Sequence, residues 1–116
     1  MTIIGVPIVP DDLKIVEDFA ERLRNQFGSH IITIILFGSR ARGDAEQDSD
    51  ADIAVILDES DPEISNSVRY IAADASLDFG LILSTRVWDQ KHWEYIKNLN
   101  TSLYQNIKRD GIEMPA

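Results

Sequence analysis

The stretch that decides the fold spans residues 36–53 and reads LFGSRARGDAEQDSDADI. An apolar run ends at Gly38-Ser39, a short basic segment follows, and Asp50 and Asp52 then open a second apolar run. Glycine lets the backbone approach a ligand closely, and the N-terminus of a following helix presents N–H groups to an anion. Gly38-Ser39 therefore predicts a phosphate-binding turn.

The pair Asp50 and Asp52 predicts a site for a divalent metal. Side chains at positions i and i+2 of a strand share a face, ~6.6–7 Å apart. Two carboxylates so close repel each other, and a bound cation reverses that repulsion. Oxygen ligands favour Mg²⁺ or Mn²⁺. Each feature also has a plainer interpretation, with the acids as turn residues of the acidic loop 44–52 and Gly38 as an ordinary strand-to-helix turn.

Composition limits the classes to which the protein can belong. At 116 residues the chain is most simply one small domain (1–116), with ordinary hydrophobic and charged contents of 44% and 27%. It contains no cysteine, which excludes disulfides and thiolate metal sites. We find no signal peptide and no apolar run of the ~20 residues that cross a bilayer, so we expect no membrane association and a cytoplasmic location.

The net charge of −9, from 20 acidic and 11 basic residues, disfavours nucleic acid as the main ligand. Phosphate backbones are bound chiefly by Lys and Arg, which are the minority here. Acids held for a metal contribute to this charge until the metal binds, and an acidic surface also favours a basic protein partner.

Hydrophobic periodicity predicts the α/β (α+β) class, with a small mixed sheet of three to four strands and helices packed mainly on one side. Apolar residues recur at helical spacing over 11–27, and Gly28 ends that helix. Asp61 and Pro62 have the residue types of an N-cap and a first helical position. Strands are predicted at 30–37, 50–57 and 77–83. Further helices are predicted after Pro62, after a cap at Ser84-Thr85, and after Asn100-Thr101-Ser102 up to Gly111.

A third acid, Asp78, strengthens the metal prediction. It opens the predicted third strand as Asp50 and Asp52 open the second. On parity, the small residues Ala54 and Gly80 lie behind these carboxylates and would leave room for a substrate. If the two strands are neighbours, ~4.8 Å apart, three carboxylates converge and can hold two Mg²⁺ ions across a triphosphate. The alternative for Asp78 is an acid that faces water at the start of a strand.

The order Gly38-Ser39, ten residues, Asp50-Ala51-Asp52 resembles the signature of the minimal nucleotidyltransferases of the DNA polymerase β-like superfamily. The fuller string GSRARGD…SDAD is similar to bacterial antitoxin-type members, which pair with HEPN-domain toxins. The order of elements extends the resemblance over nearly the whole chain. It implies the nucleotidyltransferase fold and transfer of a nucleoside monophosphate, from ATP, to an acceptor hydroxyl with release of pyrophosphate.

The resemblance also implies roles for individual residues in binding the nucleotide and two Mg²⁺ ions. Ala51 stands where the family often has a larger apolar residue, a difference that we do not expect to affect the metals. By resemblance, Gly38 and Ser39 bind the triphosphate, and Arg40 and Arg42 belong to the same nucleotide-binding motif. Asp50 and Asp52 bind the metals. Asp78 is the third metal ligand and the base.

Three functions are compatible with this resemblance. The first is transfer of AMP to the hydroxyl of a tyrosine on a HEPN toxin, with the chain acting as the antitoxin and forming a hetero-oligomer with its partner. The second is a non-catalytic antitoxin that neutralises its toxin by binding. The third is transfer to a small molecule such as an aminoglycoside, but such enzymes usually carry an added helical domain that we do not see in these 116 residues.

Two other features have structural interpretations. Arg86 and His92 match the Arg-x(4–6)-His pattern of HEPN ribonucleases. A HEPN domain is all-helical, whereas this chain has three predicted strands, so we interpret the match as coincidence. Trp88, Trp93 and Tyr95 are expected to pack in the core or at its rim, or in part against a partner, rather than to form a platform for nucleic-acid bases.

Overall fold

The structure is a computed structural model that describes residues 10–38, 41 and 50–114. Its elements are α1 (Pro10–Phe27), a 3₁₀ turn (Gly28–His30), β1 (Ile31–Phe37), β2 (Ala51–Leu57), α2 (Pro62–Phe79), β3 (Leu83–Asp89), α3 (Gln90–Asn98), α4 (Ser102–Asp110) and β4 (Ile112–Glu113). The strands form one sheet in the order β3-β2-β1-β4. β1 is antiparallel to β2 and β4, and β2 is parallel to β3. The predicted small mixed sheet is confirmed.

The larger core lies between one face of the sheet and the two long helices. α1 buries Val16, Phe19 and Leu23 against it, as the periodicity of 11–27 predicted. β2 is apolar on both faces, and its residues Ile53 and Val55 point into this core. Within the described ranges no helix is long and apolar enough to cross a membrane.

The opposite face of the sheet is covered in part by α3 and α4. Phe37, Ala54 and Ile107 are buried there, with Trp88 and Trp93 packed against them. The two indole rings stack with their centroids 6.0 Å apart and an interplanar angle of 18°. The prediction that these tryptophans have a packing role is confirmed.

Helix α2 begins where the sequence predicted and ends later. Asp61 Oδ1 accepts hydrogen bonds from the backbone N–H groups of Glu63 and Ile64, at 2.9 and 3.2 Å, and Pro62 follows it. The helix continues to Phe79, and Gly80 ends it in the left-handed conformation, with φ +71°. The predicted strand at 77–83 is therefore wrong, because Gly80 is a helix C-cap and not a strand residue.

The third strand lies instead at Leu83–Asp89, and this also corrects the prediction for the next helix. Ser84 and Thr85, which were expected to cap it, belong to β3. The N-cap is Asp89, whose Oδ1 accepts from the backbone N–H of His92 at 2.7 Å. α4 begins at Ser102, after its N-cap Thr101 and one residue before the predicted start, and it ends before Gly111 as predicted.

Candidate active site

Gly38 and Asp52 come together where β1 ends beside the start of β2. The antiparallel register pairs Phe37 with Asp52, so the turn after β1 lies directly beside this acid. A Cβ built on Gly38 would overlap Oδ2 of Asp52 and lie 3.4 Å from its Cγ. Gly38 also has φ +79°, which side chains rarely adopt. The two features that the sequence singled out are thus in contact.

Asp50 and Asp52 lie at the open end of β2. Asp50 is exposed one residue before the strand, and Asp52 is partly exposed as its second residue. Side chains alternate along a strand, so Asp52 shares its face with Ala54, while Ile53 faces α1 and α2. Their residue type fits Mg²⁺, which takes one or two carboxylates together with substrate phosphates.

On the other side of Asp52, the neighbouring strand offers Ser84 and Arg86. The parallel register pairs Asp52 with Ser84 and Ala54 with Arg86. Paired residues of a sheet share a face, so Ser84 and Arg86 belong to the face that carries Asp52. The sequence interpretation missed both, because it assigned 77–83 to the strand. Reading Gly80 as a helix C-cap would have moved the strand to Leu83 and revealed them.

Asp78 does not lie on a strand beside Asp50 and Asp52. It is an exposed residue in the last turn of α2, which continues through it to Phe79. Among the residues that the structure describes, no group of three acidic or histidine side chains is arranged to hold a metal ion. The predicted convergence of three carboxylates is therefore not found in this part of the chain.

The predicted space behind the carboxylates is not present either. Ala54 is 0% exposed and packs with Phe37 and Ile107 in the smaller cluster. Gly80 ends α2 instead of lying on a strand beside Ala54. The small side chain of Ala54 makes room for its aromatic and aliphatic neighbours, not for a substrate.

Three predicted nucleotide-binding residues, Ser39, Arg40 and Arg42, lie outside the described residues. Ala41 is described, and its side chain is buried in the larger core. Ala41 therefore contacts the core three residues after Gly38 in sequence.

A cleft of about 870 Å³ lies away from these residues. Asp58 and Asp89, which line it, stand at the ends of β2 and β3 opposite to Asp52 and Ser84. None of the predicted site residues lines it. The contact of Gly38 with Asp52, and not cleft size, therefore identifies the candidate site.

Comparisons with known proteins match most of the chain. The family described as the nucleotidyltransferase domain matches residues 16–112. A Methanocaldococcus jannaschii protein, provisionally named a protein adenylyltransferase, is 29% identical over 98 residues, which are 84% of this chain and 92% of that protein. A second protein of that organism with the same provisional name is 26% identical over 104 residues, 88% of this chain and 97% of its own.

Solved structures show the same fold. A chain of a toxin–antitoxin crystal structure with AMP-PNP aligns with a TM-score of 0.55 and 22% identity, covering 84% of this chain and 70% of that one. A Sulfolobus solfataricus protein, provisionally described as a nucleotidyltransferase, aligns with a TM-score of 0.53 and 21% identity, covering 87% and 77%.

Proposed function

This chain belongs to the nucleotidyltransferase domain family, and from that premise we propose that it transfers AMP from ATP to a tyrosine hydroxyl of a partner protein, a HEPN-domain toxin. The observation that carries the proposal is the contact of Gly38 with Asp52, a phosphate-binding turn against a metal-binding acid. In the reaction the acceptor oxygen bonds to the α-phosphorus, the bond to the bridging oxygen breaks, and pyrophosphate and the acceptor proton leave.

Two groups of residues would bind the substrate in this reaction. Gly38, Ser39, Arg40 and Arg42 would hold the triphosphate, because close backbone approach and positive charge both favour a polyanion. Asp50 and Asp52 would hold Mg²⁺. When bound, Mg²⁺ would neutralise charge on the phosphates and on the leaving pyrophosphate.

A protein acceptor is supported by the surface beside the site. Among the described strands β3 lies at an edge, so Ser84 and Arg86 can be reached from that side of the sheet. Near this edge, Leu77 is 85% exposed and Ile82 is 58% exposed. Exposed large apolar side chains near a site are typical of a surface that another protein covers. The names of the archaeal relatives and the toxin–antitoxin complex with AMP-PNP support the same class of acceptor.

A second candidate is an antitoxin that acts by binding alone. It is favoured by one observation: the β3 position next to Asp52 carries Ser84, with Arg86 beyond it, in place of a carboxylate that could act as base. In this case the toxin would be neutralised without transfer of a nucleotide.

One experiment separates the two candidates. The wild-type chain, Asp52→Asn and Asp58→Asn are incubated with the HEPN partner, Mg²⁺ and ATP labelled in its α-phosphate. Asp58 is a matched control, because it follows the opposite end of β2. We expect label on the partner with the wild type and Asp58→Asn, but not with Asp52→Asn. If the partner stays unlabelled and all three chains still neutralise it, the chain is an antitoxin that acts by binding alone.

A further inference from the structure

Asp52 has a different neighbouring strand on each of its two sides. β2, which carries Asp52, lies between β1 and β3. Phe37, followed by the Gly38 turn, pairs with Asp52 on the β1 side, and Ser84 pairs with it on the β3 side. Asp52 thus has the phosphate-binding turn on one side and Ser84 on the other.

This order indicates where an acceptor would approach, if the proposed function holds. In phosphoryl-group transfer the attacking and leaving oxygens lie roughly in line. With the triphosphate held at Gly38, pyrophosphate leaves on the β1 side of Asp52. The attacking hydroxyl therefore comes from the β3 side, which is an edge of the sheet among the strands that the structure describes.

Arg86 is the cationic residue of β3. It stands two residue pairs beyond the Asp52–Ser84 pair, ~6.6–7 Å further along the strand, and its long side chain can bring the guanidinium back over Ser84. Arg86 is exposed, and no carboxylate in the described part of the chain forms an ion pair with it. A guanidinium stays charged at any physiological pH and donates hydrogen bonds to anionic oxygens.

We propose that Arg86 binds the acceptor oxygen and stabilises its deprotonated form, so that the enzyme uses a phenolic acceptor without a carboxylate base beside Asp52 on β3. A tyrosine hydroxyl, with an ordinary pKa of ~10, is acidic enough for a guanidinium to favour its phenolate. The aliphatic hydroxyls of serine and threonine are much weaker acids, so the same arrangement does not serve them. The phenol proton passes to water, the phenolate bonds to the α-phosphorus, and pyrophosphate leaves.

The test distinguishes stabilisation of the acceptor phenolate from binding of the nucleotide. Wild type, Arg86→Lys and Arg86→Ala are assayed with partner protein that carries either tyrosine or difluorotyrosine, a stronger acid, at the acceptor position. We expect Arg86→Ala to slow transfer to tyrosine by about 10- to 100-fold, the effect of one charge-assisted hydrogen bond. Difluorotyrosine should recover most of that loss, Arg86→Lys should retain part of the activity, and AMP-PNP affinity should stay unchanged.

Arg22→Ala is the matched control, because Arg22 is another exposed arginine and lies on α1 instead of at this edge of the sheet. It should transfer at the wild-type rate. A fall in AMP-PNP affinity that parallels the rate would make Arg86 a nucleotide ligand, and an equal loss with both acceptors would make its role structural. Either result, or unchanged transfer by Arg86→Ala, overturns this inference alone. Absence of transfer by the wild type overturns the proposed function, and this inference with it.

Discussion

Gly38 and Asp52 touch across the end of the β1–β2 pair so closely that a methyl group at position 38 would overlap the carboxylate of Asp52. The register that pairs Phe37 with Asp52 produces this contact. It joins a backbone turn suited to phosphate and an acid suited to a metal, although 13 residues lie between them in sequence. Glycine is required at position 38 for two separate reasons, its left-handed φ of +79° and the closeness of Asp52.

Gly38→Ala should destabilise the fold and abolish nucleotide binding, whereas Gly80→Ala should only destabilise. Both glycines have a left-handed φ, which costs other residues about 1–2 kcal/mol. At Gly80, unlike Gly38, nothing among the described residues lies within 4 Å of the added carbon. Urea denaturation measures the unfolding free energy, and calorimetry with AMP-PNP and Mg²⁺ measures binding. Equal loss of binding in both variants would contradict a specific role for Gly38.

Mg²⁺ and AMP-PNP together should stabilise the wild-type chain against unfolding, and should not stabilise Asp52→Asn. A ligand at 100 times its Kd adds about 2.7 kcal/mol to the unfolding free energy. A chelator should remove the stabilisation, since one or two carboxylates plus phosphates are the usual ligands of Mg²⁺. Thermal unfolding measures the effect. Asp58→Asn, at the far end of the same strand, should keep it; equal stabilisation of Asp52→Asn would remove that carboxylate from the metal site.

Asp78→Asn should leave nucleotide transfer unchanged. Asp78 is exposed in the last turn of α2, where a negative charge opposes the helix dipole, so its removal should stabilise the fold by about 0.5 kcal/mol. Label transfer to the partner and urea denaturation test the two expectations. A loss of transfer as large as that of Asp52→Asn would return Asp78 to the metal site.

Local signals explain which parts of the fold could be predicted. The periodicity of α1, the β-branched runs of β1 and β2, and the Asp61-Pro62 start of α2 each depend on near neighbours in sequence. Gly38 follows β1 and Asp52 lies near the start of β2, and both strands were predicted correctly. The contact between the two residues follows from the register of these strands. The candidate site was therefore predictable on its β1 and β2 side.

The β3 side of the site was not predictable by the same reasoning. Leu77 and Phe79 are large apolar residues that α2 leaves exposed. In the sequence alone, such residues are typical of the start of a buried strand. Gly80 can equally be a helix cap or a small strand residue, and only the burial of the rest of α2 distinguishes the two. Ser84 takes its place beside Asp52 through parallel pairing of β3 with β2, a tertiary relationship that no local pattern records.

Ala54→Leu distinguishes a packed core from a substrate pocket. Because Ala54 is fully buried against Phe37 and Ile107, the added side-chain carbons should overpack this cluster and destabilise the fold by about 1–3 kcal/mol. AMP-PNP affinity, measured by calorimetry well below the melting temperature, should change little. Ala73→Leu, at an exposed position of α2, is the matched control and should alter neither quantity appreciably. Unchanged stability with weakened nucleotide binding in Ala54→Leu would instead place the substrate directly against Ala54.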